Sequence, residues 1–271
     1  MRARKREWNW KSMSTRRIFS ESRRIGRFTA GTLLNLVFPS FCKSCGEESG
    51  HNRVPYFCDP CWSGIRPMGG PFCPVCGEPF RSPWTLAYSP NHHCGECRRR
   101  VPFFDRIITP YAYEGTLARG IALFKAGRKT ALVNALASLA FPFAAELRVA
   151  EIIIPVPLHP ARLRAREFNQ SLLLGDALAR ILNKPVKAHL LVKSGVTGLQ
   201  KKLGRSDRQK NLKNSFELLN KAEIRGKSIL LVDDVYTTGS TMNECAKVLK
   251  KGGSGPVTGY AVARTMLKPV R

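Results

Sequence analysis

Residues 229–241 read Ile-Leu-Leu-Val-Asp-Asp-Val-Tyr-Thr-Thr-Gly-Ser-Thr, and this stretch decides the fold. The apolar run Ser228 to Val232 predicts a strand buried on both faces, as in a parallel sheet. Two adjacent carboxylates, Asp233 and Asp234, follow at its carboxyl end, where open α/β sheets bind their ligands. A turn rich in hydroxyls and glycine comes next, and then a helix over Ser240 to Lys250 that Gly252 and Gly253 close. The N–H groups of such a turn, with the positive end of the helix, form a cradle for phosphate. Gly239 allows close backbone approach, while Thr237, Thr238, Ser240 and Thr241 supply hydroxyl donors. The two acids would repel a phosphate, so the hydroxyls of a sugar, about a ribose length away, suit them better.

The surrounding chain alternates strand and helix signals. Strands are expected over Asp105 to Tyr113, Glu151 to Ile154 (ending at Pro155) and Val257 to Val262. Helices are expected over Thr116 to Phe124, Ala131 to Arg148 and Phe168 to Leu182, the last from Leu172, Leu173, Ala177, Leu178, Ile181 and Leu182 at helical spacing. This alternation predicts an α/β fold, a mostly parallel sheet covered by helices. Between them, Ile154-Pro-Val-Pro-Leu-His-Pro160 reads as a stiff loop, followed by Arg162, Arg164 and Arg166 and then Phe168-Asn169-Gln170. Thr197 to Phe216 carries six Lys or Arg against one acid and reads as an ordered basic loop or helix near the mouth of the site. Lys125-Ala-Gly-Arg-Lys129 is either a lid over the site or a plain turn.

Residues 42–100 differ in kind. They are rich in Cys, Pro and Gly and lack the apolar runs of a core, so this segment needs a staple. Eight of the nine cysteines form four Cys-x-x-Cys pairs: Cys42/Cys45, Cys58/Cys61, Cys73/Cys76 and Cys94/Cys97, separated by 12, 11 and 17 residues. A two-residue spacer lets both thiolates of a pair enter one tetrahedral site, and two pairs complete it. Gly46 and Gly77 follow the second cysteine of their pairs, where positive φ is often needed, and mark the opening half of each site. The expected pairing is therefore Cys42, Cys45, Cys58 and Cys61 around one Zn2+, with Cys73, Cys76, Cys94 and Cys97 around a second. An interleaved pairing stays open. Sites closed by four thiolates have no vacant position, so these zincs are expected to be structural. His92 and His93 read as loop residues, and Cys245 as a small core residue of the helix after Ser240.

The 271 residues carry 45 Lys and Arg against 19 Asp and Glu, a formal charge of +26 that favours polyanions without choosing among them. Residues 1–28 hold ten Lys or Arg and two Glu. They read as a solvated, disordered tail, as sequence ahead of a true start at Met13, or as a nucleic-acid arm. Residues 29–41 read as a short apolar helix stopped by Pro39; the run Leu33 to Phe38 is too short to cross a bilayer. With no secretory signal, the paired cysteines fit a reducing cytoplasm and metal rather than disulfides. The implied organisation is a tail (1–28), a short helix (29–41), a double zinc ribbon (42–100) and an α/β domain (101–271).

The stretch 229–241 resembles the motif with which type I phosphoribosyltransferases bind phosphoribosyl pyrophosphate (PRPP). Taken with the four cysteine pairs, Pro-Val-Pro-Leu-His-Pro, Phe-Asn-Gln, Gln200-x-x-Leu203 and Arg208-x-x-Asn211-Leu212, it resembles the ComF family over about residues 36–265. That resemblance implies a type I phosphoribosyltransferase fold behind a small double zinc-ribbon module. It implies PRPP, or a related ribose-phosphate, bound with Mg2+ at Asp233, Asp234, Thr237, Thr238, Gly239, Ser240 and Thr241. It places the pyrophosphate near Arg162, Arg164 and Arg166, with phosphoribosyl transfer as the reaction. The family is also linked with DNA uptake, so the alternative is a protein that binds or processes single-stranded DNA and keeps the pocket without turnover. One position departs: the family usually has Arg-Gly-Phe-Asn-Gln where this chain has Arg166-Glu167-Phe168-Asn169-Gln170. Glu167 adds bulk and a like charge beside the expected pyrophosphate.

Overall fold

The structure, a computed structural model, describes residues 40–49, 52–193 and 215–266. Residues 1–28, most of 29–41 and nearly all of the basic segment 197–216 lie outside them. The chain divides into two compact units, Met1–Cys61 and Trp62–Arg271.

In the first unit, β1 (Ser40–Phe41) pairs antiparallel with β2 (Glu48–Ser49). The end of the helix expected over 29–41 is therefore strand instead. Ser40 and Ser49 exchange side-chain and backbone hydrogen bonds there, a cross-strand pairing that competes with helix. Helix α1 (Asp59–Ser63) starts the second half of the first cysteine set and runs to the boundary between the units.

The second unit opens with α2 (Thr85–Tyr88) and α3 (Gly95–Arg99) of the second cysteine set. The sheet then begins. β3 (Arg106–Ile108) and β4 (Tyr111–Ala112) replace the single strand expected over 105–113, because Pro110 has no N–H to donate to a ladder. Next come α4 (Gly115–Lys125), α5 (Val133–Ser138) and α6 (Ala144–Leu147). The expected helix over 131–148 is thus broken, with a tight 3-10 turn at Phe141–Phe143 where Pro142 sits. β5 (Ile152–Pro155), α7 (Pro160–Arg166), α8 (Gln170–Leu182), the small antiparallel pair β6 (Leu191–Lys193) and β7 (Phe216–Leu218), β8 (Ile229–Tyr236), α9 (Ser240–Lys251) and β9 (Val257–Arg264) complete the chain.

The main sheet runs β3-β9-β8-β5, with β4 continuing along β9, and every pairing in it is parallel. β8 is central and wholly buried over Ile229 to Val232, which is why those residues show no alternation of polar and apolar. Leu174, Leu178 and Leu182 of α8 and Cys245, Ala246 and Leu249 of α9 are buried as well. Each large side chain so buried stabilises the fold by about 1.5–3 kcal/mol. α8 starts at Asn169, whose side chain accepts from Ser171 N, and ends at Asn183 in the left-handed region. These supports fix the carboxyl ends of β5 and β8 side by side, with Pro155 opposite Val232.

Candidate functional site

The acids lie inside β8 rather than beyond its end. The strand continues to Tyr236, with Asp233 opposite Ala261 and Val235 opposite Ala263 on β9. Neighbouring strand residues leave on opposite faces, so the two acids have different partners, yet they stay close enough for the charge of one to act on the other. Asp233 receives Ser171 Oγ at 2.9 Å and the N–H of Asp234 at 2.9 Å. Asp234 is buried and forms an ion pair with Lys125 at 2.8 Å. Burial, and then the negative charge of Asp234, push the Asp233 carboxyl up to about 7, against the pull of those hydrogen bonds and of Lys125. Asp233 still keeps partial solvent contact.

Beyond the strand, Thr237 and Thr238 are exposed, and Gly239 adopts φ +74° at the start of α9. The N-cap, Gly239, has no side chain, Thr238 Oγ1 makes only a long contact with Ser240 N at 3.4 Å, and the first turn holds no acid, which leaves a positive helix end framed by hydroxyls. Thr238 Oγ1 and Ser240 Oγ lie 2.9 Å apart. Gly239 is required on two counts. Its φ is left-handed, and a Cβ there would overlap the Tyr236 hydroxyl and lie 2.7 Å from the ring Cζ. A cavity of about 660 Å3 opens beside the loop, lined by Thr237 to Ser240, Tyr236, Asn243 and the segment Cys94–Pro102.

The arginines expected in a loop are on a short helix, α7, which Pro160 begins and His159 caps by accepting from Ala161 N at 3.2 Å. Four residues apart, Arg162 and Arg166 share a face, while Arg164 is turned away from it. Arg162 lies close enough to Lys193 that, after burial, its charge is the next cause holding the Lys193 ammonium below its ordinary value; Asp233 acts in the opposite sense. Arg162 and Lys193 thus belong to the neighbourhood of Asp233. The turn after α4 also reaches the site. Arg128 Nη1 donates to Glu167 Oε1 at 2.7 Å and Nη2 to the Ala165 carbonyl at 3.1 Å.

The eight paired cysteines fall into the two sets expected, Cys42/Cys45/Cys58/Cys61 and Cys73/Cys76/Cys94/Cys97, with all sulfurs of a set within 4.8 Å of one another. Four sulfurs at the usual Zn–S length of about 2.3 Å stand about 3.8 Å apart in a tetrahedron. The distances Cys45 to Cys58, 3.7 Å, and Cys76 to Cys94, 3.5 Å, fit that figure. Ser44 N and Cys58 N donate to Cys42 Sγ, and Cys94 N to Cys73 Sγ, as thiolates require. Gly46 and Gly77 have φ of +83° and +69°. Both sets fit structural zinc. The second set is part of the core of its unit: Cys73, Cys76 and Cys97 are buried with Phe104, Ile107, Tyr236 and Met242. Burial pushes the Cys76 thiol up to about 12, so a cation is what would let these sulfurs ionise together.

Residues 33–98 match the model of the double zinc ribbon domain, and residues 169–264 that of the phosphoribosyl transferase domain. Competence protein F of Haemophilus influenzae (strain Rd) is 34% identical over 214 residues, which span 76% of this chain and 90% of that one. The chain belongs to the ComF family. DNA utilization protein YhgH of Escherichia coli K12 is a second relative, 32% identical over 85% of this chain and 100% of its own. Among solved structures, purine phosphoribosyltransferase from Pyrococcus horikoshii aligns with 50% of this chain and 78% of its own, at 19% identity and a TM-score of 0.32.

Three residues of this ComF chain that the sequence did not single out stand at these sites. Ser171 anchors Asp233, and Lys193 is near enough for the Asp233 charge to act on its ammonium. Arg264, almost wholly buried, joins β9 to the second cysteine set: Nη1 donates to the Cys76 carbonyl at 3.0 Å, Nη2 pairs with Glu78 at 2.5 Å, and the guanidinium lies 5.0 Å from the centre of the Tyr236 ring. An Arg closing an otherwise apolar strand was a legible signal for the last. Ser171 and Lys193 carried none. Among the described residues no single helix is long and apolar enough to cross a membrane.

Proposed function

We propose that the end of β8 and the loop into α9 bind the ribose 5-phosphate part of PRPP or a related ribose-phosphate. The observation that carries this reading is the sequence of groups along one strand: two carboxylates, then a left-handed glycine, hydroxyls and an uncapped helix start. Asp233 and Asp234 take the sugar hydroxyls. Thr237, Thr238, Gly239, Ser240 and Thr241 take the 5-phosphate through N–H and hydroxyl donors. Arg162, with Arg166 on the same helix face of α7, supplies the guanidinium for a diphosphate on C1 in this reading, since α7 follows the end of β5. Mg2+ accompanies the diphosphate in this reading, with the two carboxylates as its hard oxygen neighbours. In transfer, the bond from C1 to the diphosphate oxygen breaks, pyrophosphate leaves with the electron pair, and an acceptor bonds to C1.

A second reading is favoured by the charge of +26 and by the names of the relatives, which speak of competence and DNA utilization. Here the protein binds single-stranded DNA in the course of DNA uptake, and the pocket serves without turnover. One set of measurements separates the two. Titrate wild type, Asp234→Ala and Thr238→Ala with PRPP and Mg2+, follow pyrophosphate release with candidate acceptors, and measure single-stranded DNA affinity against salt. Binding or turnover weakened in both variants supports the first reading. PRPP and ribose 5-phosphate both inert toward folded wild type would overturn it, and a DNA affinity that falls steeply with salt would then favour the second.

A further inference from the structure

Glu167 and Arg128 are both non-glycine residues in the left-handed region, with φ of +69° and +53°, and their side chains grip each other. Such backbone costs of order 1 kcal/mol or more at each residue and persists where its surroundings impose it. Neither residue is needed to bury a core, since both side chains are more than half exposed. Glu167 takes its left-handed backbone as the C-cap of α7, and Arg128, 39 residues away in sequence, meets it there in one surface ion pair. The site gives a reason. Three residues before Arg128, Lys125 is clamped to Asp234, so the turn after α4 is tied to the sugar acids at one end and to the C-terminus of α7 at the other.

We infer that Glu167 sets the phosphate content of the ligand, acting as a built-in anion that occupies Arg128 and so favours a pentose 5-phosphate lacking a diphosphate on C1. The inference rests on the ribose-phosphate reading above and deepens it. With the sugar on Asp233 and Asp234 and its 5-phosphate on the loop after β8, the other end of the ligand faces the neighbouring strand β5 and the segment that leads from β5 into α8. Val156 N donates to the Val232 carbonyl, Asn169 Nδ2 to the Val156 carbonyl and Ser171 Oγ to Asp233, so both ends of the stretch 156–171 are tied to β8 beside the acids. Glu167 lies in that stretch. It acts twice on a diphosphate, by repelling it and by holding the guanidinium that would otherwise meet it. A pentose 5-phosphate without the diphosphate does not reach so far and escapes both effects.

The test uses the full-length protein and measures dissociation constants for PRPP, ribose 5-phosphate and inorganic pyrophosphate by calorimetry, in wild type, Glu167→Gln and Glu167→Gly. The glutamine removes the charge and keeps the bulk; the glycine also relieves the backbone. An exposed charge interaction is worth about 0.2–1 kcal/mol, and two are removed together, so the ratio of PRPP to ribose 5-phosphate affinity should rise about two- to thirtyfold in Glu167→Gln. Glu167→Gly should match or exceed it, and pyrophosphate should gain alongside PRPP. Ribose 5-phosphate binding with a ratio unchanged within twofold in both variants overturns this inference and leaves the ribose-phosphate site standing. If no sugar phosphate binds any of the three proteins, the ribose-phosphate reading itself falls, and this inference with it.

Discussion

Replacing Gly239 by alanine tests whether the loop after β8 is held in the shape that a phosphate needs. The expected cost has two parts. Alanine at φ +74° incurs the left-handed penalty, about 1–2 kcal/mol. Its Cβ also overlaps the Tyr236 hydroxyl and stands 2.7 Å from Cζ and 3.0 Å from Cε2. Tyr236 cannot swing away freely, because it is buried and its ring faces the Arg264 guanidinium. Forcing an extra methyl into such a place costs about 1–3 kcal/mol. Denaturant unfolding should therefore show Gly239→Ala less stable by about 2–5 kcal/mol, with sugar-phosphate binding lost in the fraction that remains folded. Repeating the change on a Tyr236→Phe background removes the hydroxyl overlap but not the approach to Cζ or the φ penalty. Part of the cost should return, and at least about 1 kcal/mol should stay. A cost below about 0.5 kcal/mol on the wild-type background would refute the argument, since the glycine would then be neither left-handed nor pressed against Tyr236.

Asp233, with its carboxyl raised to about 7 from the ordinary 3.8, favours the fold while protonated; that contribution is whole below about pH 4 and is lost as pH rises through 7. Wild type should lose about 1–3 kcal/mol of unfolding free energy between about pH 5 and 8, and Asp233→Asn should show a smaller loss over the same range. Cys97→Ser should lower the unfolding midpoint of the sheet and speed hydrogen exchange in β9, because Cys97 is buried in the same core as Tyr236 and Met242. Cys45→Ser, in the unit Met1–Cys61, should leave β9 exchange as it was. Arg264→Lys keeps the charge but cannot donate at once to the Cys76 carbonyl and to Glu78, and should cost about 1–3 kcal/mol by the same unfolding measurement.

What the sequence made legible is what local chemistry dictates. The run Ile229 to Val232 between turn signals read as a buried strand, the cysteine spacing pointed to paired tetrahedral sites, and glycine after a second cysteine announced its φ. What it hid depended on partners far along the chain. The strand was expected over Ser228 to Val232, with the two acids at its carboxyl end and the turn after them. The structure carries the strand four residues further, to Tyr236, because β9 pairs with it and Ser171 and Lys125 donate to the acids. Arg162, Arg164 and Arg166 were expected to converge. Pro160 and His159 instead start a helix, and helical geometry turns Arg164 from the others. The second cysteine set read as part of a separate ribbon, yet it is packed within the unit that contains the sheet, through Arg264 and buried apolar side chains that no spacing reveals.

The two acids assigned to the ligand, and the Arg128 that a diphosphate would meet, share one property: each already has a protein partner. Asp233 holds Ser171, Asp234 holds Lys125, and Arg128 holds Glu167. Binding at such a site exchanges partners rather than adding them, so the affinity gained is the difference between two sets of similar contacts. For the acids the exchange is a near balance: a sugar hydroxyl for a serine hydroxyl at Asp233, and at Asp234 a contact that can form beside the ammonium of Lys125. For Arg128 the exchange favours the ligand only if its anion binds better than a carboxylate held one hydrogen bond away. The loop at Gly239 differs in degree, since its N-cap has no side chain and its internal contacts are neutral: Thr238 Oγ1 with Ser240 Oγ at 2.9 Å, and a long bond from Ser240 N to Thr238 Oγ1 at 3.4 Å. A phosphate there replaces these neutral contacts with charge-assisted ones. The 5-phosphate should therefore dominate affinity, and the rest of the ligand should tune it.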